Sequence, residues 1–188
     1  PPAEVVIIGA GVAGSYSARA FLGMGAHVTI LDTDINALQV VYDRTPGVVT
    51  MMSNSHNLTR VCSFADVVVG AVLVPGEKPP TIITREMVRQ MKPRSVLMDI
   101  SIDEGGCIET SRPTTHEHPT FIDEGVIHYC VPNMSSIVAR TATHAYLNAA
   151  FPYISEIANR GVEAAIAANP AIEQGVGTYQ GKIRHIST

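Results

Sequence analysis

Short apolar runs alternate along the chain with stretches of helical period. Val5 to Ile8, His27 to Leu31, Val48 to Met52, Val67 to Val74, Ser95 to Ile100 and Val126 to Val131 are rich in β-branched residues and read as strands. VVVGAVLV (67–74) is continuously apolar, as expected for a strand buried on both faces. Between the runs, Val12 to Leu22, Ile35 to Tyr42, Asn57 to Phe64 and Thr84 to Met91 carry helical spacing, with Asp34 placed to cap the second. The longest helical pattern covers 135–160, where Pro152 predicts a kink or break and Gly161 a stop. Strands alternating with helices predict an α/β fold of the Rossmann type: a doubly wound parallel sheet with helices on both faces. The expected organisation is a nucleotide-binding domain over 1–161 and a loosely structured tail over 162–188.

The first strand runs directly into glycines. In VVIIGAGVAGSYSARAFLGMGAHVTILD (5–32), Gly9, Gly11 and Gly14 form G-x-G-x-x-G, and Asp32 closes the second strand. Gly9 permits a tight turn, Gly11 lets backbone N–H groups near Val12 and Ala13 approach a pyrophosphate, and Gly14 lets the helix pack on the strand. An Asp at that strand end can accept hydrogen bonds from adenosine ribose hydroxyls and repels a 2′-phosphate, which points to NAD. The plainer alternative is a glycine-rich turn whose Asp caps the next helix.

Composition narrows the class. The 188 residues are 46% hydrophobic and 16% charged, with a net charge of −4. That suits a well-buried globular chain. The 13 Lys and Arg are scattered, so neither nucleic acid nor an anionic membrane is an expected partner. No apolar run approaches the length of a membrane span, and no secretory leader pattern opens the chain. Cys62, Cys107 and Cys130 lie far apart, which suggests reduced thiols of a cytoplasmic protein, Cys130 as a small core residue. The chain opens Pro-Pro without Met, which suggests a domain excised from a longer protein.

In an open α/β sheet the ligand lies beyond the carboxyl ends of the strands. There the sequence offers Ser53-Asn54, Val72 to Pro75, Ile100 to Gly106 and Val131 to Met134. Only DISIDEGG (99–106) is rich in titratable groups. Asp103 could position an ammonium, a water or a carboxamide, or could simply bond its own backbone in a turn. His116 and His118 in THEH sit at i and i+2, but Pro113 and Pro119 argue for a solvated loop and no third ligand is obvious, so no metal is expected. Arg112 follows in the same region, as a phosphate or nicotinamide contact or as a surface hydrogen bond.

GAVLVPG, MDISIDEGG, GCIETSRPTTHEHPTF, YCVPNM and ARTATHAYLNAAFPYI together resemble the cofactor-binding domain of the alanine dehydrogenase family, over about residues 4 to 180. The NAD-binding subunit of proton-translocating transhydrogenase is similar in fold but lacks the CIETSRPTTH block. The resemblance implies reversible oxidative deamination of L-alanine to pyruvate and ammonia with NAD. It implies that Asp32 binds the adenosine ribose and Ser53 the adenine side, and that Val72 and Leu73 line the cofactor cleft. Ile100, Ser101, Ile102 and Asp103 would border the nicotinamide, with Asp103 as the catalytic acid. Arg112, Val131, Pro132, Asn133 and Met134 would complete that end. Pro132 and Ser135 depart from the family's usual residues there. The family's substrate-binding Arg, Lys and His lie in a separate substrate domain that this chain has no room for before Val5, and the full-length protein is expected to be a homo-oligomer. A transhydrogenase component and a non-catalytic NAD-binding module are the alternative readings.

Overall fold

The structure, a computed structural model, describes residues 1–185. Those residues form two compact units, one of 1–74 with 78–132 and one of 75–77 with 133–185.

The first unit is built on β1 (Glu4–Ile8), α1 (Val12–Gly23), β2 (His27–Asp32), α2 (Ile35–Arg44), β3 (Val49–Met52), α3 (Ser55–Phe64), β4 (Val67–Gly70), α4 (Arg85–Arg89), β5 (Val96–Asp99), β6 (Thr120–Asp123) and β7 (Val126–Tyr129). The seven strands order as β3-β2-β1-β4-β5-β7-β6. Strand order reverses between β1 and β4, so the crevice for a ligand opens there, beyond Ile8 and Gly70.

Both faces of the sheet are buried, as continuous apolar strands require. Val6, Ile8, Leu31, Val68 and Leu97 pack with Leu58 and Val61 of α3 and Val88 of α4. Val5, Ile7, Val28, Ile30 and Val69 pack with Ala18 of α1 and Leu38 and Val41 of α2. Truncating a fully buried Ile such as Ile7 to Ala costs about 2–5 kcal/mol. The expected cap forms, the Asp34 side chain accepting from Asn36 N, and Thr84 caps α4 by accepting from Met87 N.

Four expectations need correction. First, the strand expected over 67–74 ends at Gly70. Its neighbour β1 stops at Ile8, where Gly9 turns away with φ of 105°, so after Ala71 N donates to Ile8 O no partner backbone remains. Leu73 lies exposed. Second, β5 and β7 stop at Asp99 and Tyr129, short of Ile100 and Val131, and Ile100–Glu104 instead winds into a 3₁₀ turn. Third, the sheet is not wholly parallel. β6 pairs antiparallel with β7 through a two-residue connection, Glu124-Gly125, with both φ values positive (49° and 77°). Those are the dihedral signs of a type I′ hairpin turn. Only 126–131 is expected as a strand there, and β6 goes unmarked in the sequence because Glu-Gly is a weaker hairpin signal than Asn-Gly.

The fourth correction concerns the carboxyl-terminal region, which is not loose. In the second unit α5 (Ala139–Arg160) runs through Pro152 without breaking, and Gly161 (φ 80°) ends it. There follow α6 (Val162–Ala168), α7 (Pro170–Gln174) and a hairpin of β8 (Thr178–Tyr179) and β9 (Lys182–Ile183). Asn169 joins these pieces: its Oδ1 accepts from Ala171 N to cap α7, while its Nδ2 donates to Glu156 of α5. Ala165 and Ile172 are buried. Among the described residues, no helix is long and apolar enough to cross a membrane.

Candidate functional site

At the carboxyl end of the sheet, successive loops are tied to one another by a chain of short-range contacts. Ser53 N donates to Asp32 O at 2.8 Å, holding the end of β3 to the end of β2. The Asp32 carboxylate then reaches the glycine loop, Oδ2 accepting from Ala10 N at 2.7 Å, while Oδ1 accepts from Asp34 N at 2.9 Å. Each carboxylate oxygen has capacity for a further donor, so ribose hydroxyls fit beside these backbone bonds.

The three glycines of the motif meet different surroundings. A Cβ on Gly9 would run into Ala71 O, and one on Gly14 into Gly9 O. Both positions are therefore closed by the protein itself: Gly9 lets the loops after β1 and β4 touch, and Gly14 seats α1 on the turn. A Cβ on Gly11 would meet nothing within 4 Å. The space over Gly11 lies open at the start of α1, which has no side-chain cap and no acidic residue in its first turn, with Val12 and Ala13 exposed. Backbone N–H groups and the helix dipole favour an anion at such an end.

Ser101 links the next two loops. Its Oγ accepts from Val72 N at 2.9 Å and donates to Val72 O at 2.8 Å. Ser101 and Ile102 are buried within the 3₁₀ turn, whereas Asp103 is exposed on it, directly after the end of β5. Gly105 (φ 102°) and Gly106 (φ 78°) close the turn, Gly105 N donating to Ile102 O and Gly106 N to Ser101 O.

Asp99 adds a buried polar group that no motif singles out. Its carboxylate is fully buried and accepts from Ser101 N at 3.1 Å and from Cys107 N at 3.1 Å, with the Cys107 thiol at 3.7 Å as a further donor. Burial pushes its carboxyl above the usual range despite those donors. A charged residue closing an otherwise apolar strand, VLMD, was the available signal.

Arg112 is exposed, with its guanidinium 4.1 Å over the Phe121 ring. Phe121 in turn stacks on buried His128 at 4.8 Å, and His128 meets Thr110 Oγ1 at 2.8 Å. Burial holds His128 below its ordinary value, so it is a neutral core ring. Val131 is buried and Pro132 half-buried at the end of the first unit, while Asn133 (φ 52°) and Met134 begin the second. His116 and His118 lie in the 111–119 loop, and no group of three or more His, Cys, Asp or Glu among the described residues could hold a metal ion. Cys62, Cys107 and Cys130 are free and buried. Burial pushes the Cys62 and Cys107 thiols up to about 12, which makes them poor nucleophiles.

Comparison with known proteins agrees with this arrangement. The family described as "Alanine dehydrogenase/PNT, C-terminal domain" matches residues 1–186. Alanine dehydrogenase of Mycolicibacterium smegmatis is 49% identical over 183 residues, 97% of this chain and 49% of that protein. Alanine dehydrogenase of Methanococcus maripaludis is 47% identical over 186 residues, 98% of this chain and 50% of that protein. A solved L-alanine dehydrogenase superposes with a TM-score of 0.87 at 38% identity, covering 98% of this chain and 51% of that one. The crystal structure of transhydrogenase from Sinorhizobium meliloti gives 0.78 at 25% identity, covering 98% and 50%. The chain spans about half the length of the curated relatives it matches. With the family matched across nearly every residue and the fold shared with a solved member, this chain belongs to the alanine dehydrogenase/PNT C-terminal domain family.

Proposed function

We propose that this chain is the NAD-binding half of an alanine dehydrogenase, which interconverts L-alanine with pyruvate and ammonia. The observation that carries the reading is the Asp32 carboxylate, held at the end of β2 by Ala10 N beside a glycine loop that leaves Gly11 open. A carboxylate there accepts from the ribose diol and opposes a 2′-phosphate, and the start of α1 receives the pyrophosphate. Ser53 borders the adenine side, and Val72 with Leu73 lines the cleft. Ile100 to Asp103, Arg112, Val131 and Pro132 form the nicotinamide end.

Bound NAD supplies the hydride acceptor. The work assigned to this chain is orientation: Asp103 directs its carboxylate to the amino group, or to the water that attacks the imine carbon. The substrate Cα must sit about 3.5 Å from the nicotinamide for transfer, so the remaining half of such an enzyme supplies the groups that hold alanine. Cytoplasmic location and homo-oligomerisation belong to the same proposal, supported by the three free thiols and by the family.

Two measurements test it. The 188-residue chain should bind NADH in a calorimetric titration and reduce little NAD with alanine alone. In the full-length polypeptide, alanine-dependent NAD reduction should appear, and Asp103→Asn should lower kcat about a hundredfold while NADH affinity stays within severalfold. NADH-to-NADP hydride exchange without alanine dependence would favour the transhydrogenase reading instead. NADH binding by a full-length protein that lacks both activities would favour the non-catalytic module.

A further inference from the structure

We propose that Asp99, which sits beneath the cofactor crevice and is sealed from it, is the positioning residue for Asp103. The inference rests on the function proposed above.

Asp99 ends β5, and the loop that follows folds back around its carboxylate. The donors come from both ends of that loop: Ser101 N at its start, and Cys107 N with the Cys107 thiol at its end. One buried group therefore closes a loop of which Asp103 is the exposed middle.

The glycines of DISIDEGG fit this role. A Cβ on Gly106 would stand 2.8 Å from Asp99 Oδ2, so glycine leaves the carboxylate its place. Gly70 does the same from β4, where a Cβ would lie 2.6 Å from Cys107 Sγ and 3.4 Å from Asp99 Oδ1. Two separate chain segments are thus shaped around Asp99. Burying a carboxylate is unfavourable unless donors surround it. What it secures is the loop, and Ser101 carries that order to Val72 in the neighbouring loop after β4.

Asparagine at position 99 is nearly isosteric but turns one acceptor into an N–H₂ donor. It cannot accept from Ser101 N and Cys107 N on both sides together. The loop loosens while the core is retained.

The test is a double-mutant cycle on kcat in the full-length polypeptide, using Asp99→Asn and Asp103→Asn. If Asp99 acts through Asp103, Asp99→Asn should lower kcat about tenfold or more with Asp103 present and less than about twofold in the Asp103→Asn background. Hydrogen exchange should accelerate at the Ser101 and Cys107 amides, and NADH affinity should stay within severalfold. An equal loss in both backgrounds, or unchanged exchange at those amides, overturns the inference and leaves the proposed function standing. Unchanged kcat in Asp103→Asn alone overturns the catalytic role of Asp103 and the inference with it. Should Asp99→Asn fail to fold, Cys107→Ala removes the thiol donor to the same carboxylate, and the same non-additivity, at smaller size, is expected.

Discussion

Asp32 and Ala10, separated by 22 residues, are joined at 2.7 Å by a hydrogen bond from the Ala10 amide to the Asp32 carboxylate. One side chain thus shapes the glycine loop and, in the function proposed above, presents the acceptor that distinguishes ribose from its 2′-phosphate. Asp32→Ala should cost NADH affinity twice over, through the lost ribose bonds and the loosened loop. Hydrogen bonds to a charged group are worth about 1.5–3 kcal/mol each, so a loss of about tenfold or more is expected for NADH and a smaller one for NADPH. Titrating wild-type and variant chains with both nucleotides checks this. Equal affinity of the wild type for the two would remove the role given to Asp32.

Gly11 and Gly14 should separate ligand from fold. Ala at 14 drives its Cβ into Gly9 O, so α1 or the turn must shift, and a destabilisation of about 1–3 kcal/mol is expected, read as a lowered Tm. Ala at 11 projects into open space from ordinary backbone, with φ of −71°. Its effect on stability should stay within about 0.5 kcal/mol. NADH binding should nevertheless weaken, because the methyl stands where a pyrophosphate would approach. If Gly11→Ala binds NADH as well as the wild type, the pyrophosphate does not lie over this glycine.

The hairpin of β6 and β7 carries a pH signature. Glu124 receives Arg85 Nη1 at 2.7 Å and Arg89 Nε at 3.1 Å, and the Arg89 and Arg85 bonds hold its carboxyl below the usual glutamate range. Because its folded value is depressed, its contribution is complete above the ordinary value of 4.5 and is lost as pH falls through the folded one. Glu124→Gln should therefore lower Tm modestly at pH 7, and the two melting curves should converge in acid. High salt should also narrow the gap at pH 7. A gap that persists unchanged at low pH would assign the effect to the Gln side chain's packing.

The parts of this molecule that depend on neighbouring residues were legible in the sequence. Apolar runs, helical spacing, the Asp34 cap, the G-x-G-x-x-G loop and the Asp closing β2 each express a local rule, and the first three strands and first four helices lie within two residues of where those rules put them. What they left open depended on contacts across the sheet. VVVGAVLV has the composition of a long strand, yet pairing ends at Gly70 because β1 has already turned at Gly9. Glu124 and Gly125 form a tight turn only because residues 120–123 find residues 126–129 opposite them. Asp99 fell inside the strand expected over 95–100 with no role of its own. Its meaning lies in donors up to eight positions away, brought to it by the fold. A sequence reports the preference of each segment, whereas the end of a strand and the partner of a buried charge are set by whichever backbone and donors the tertiary fold places beside them.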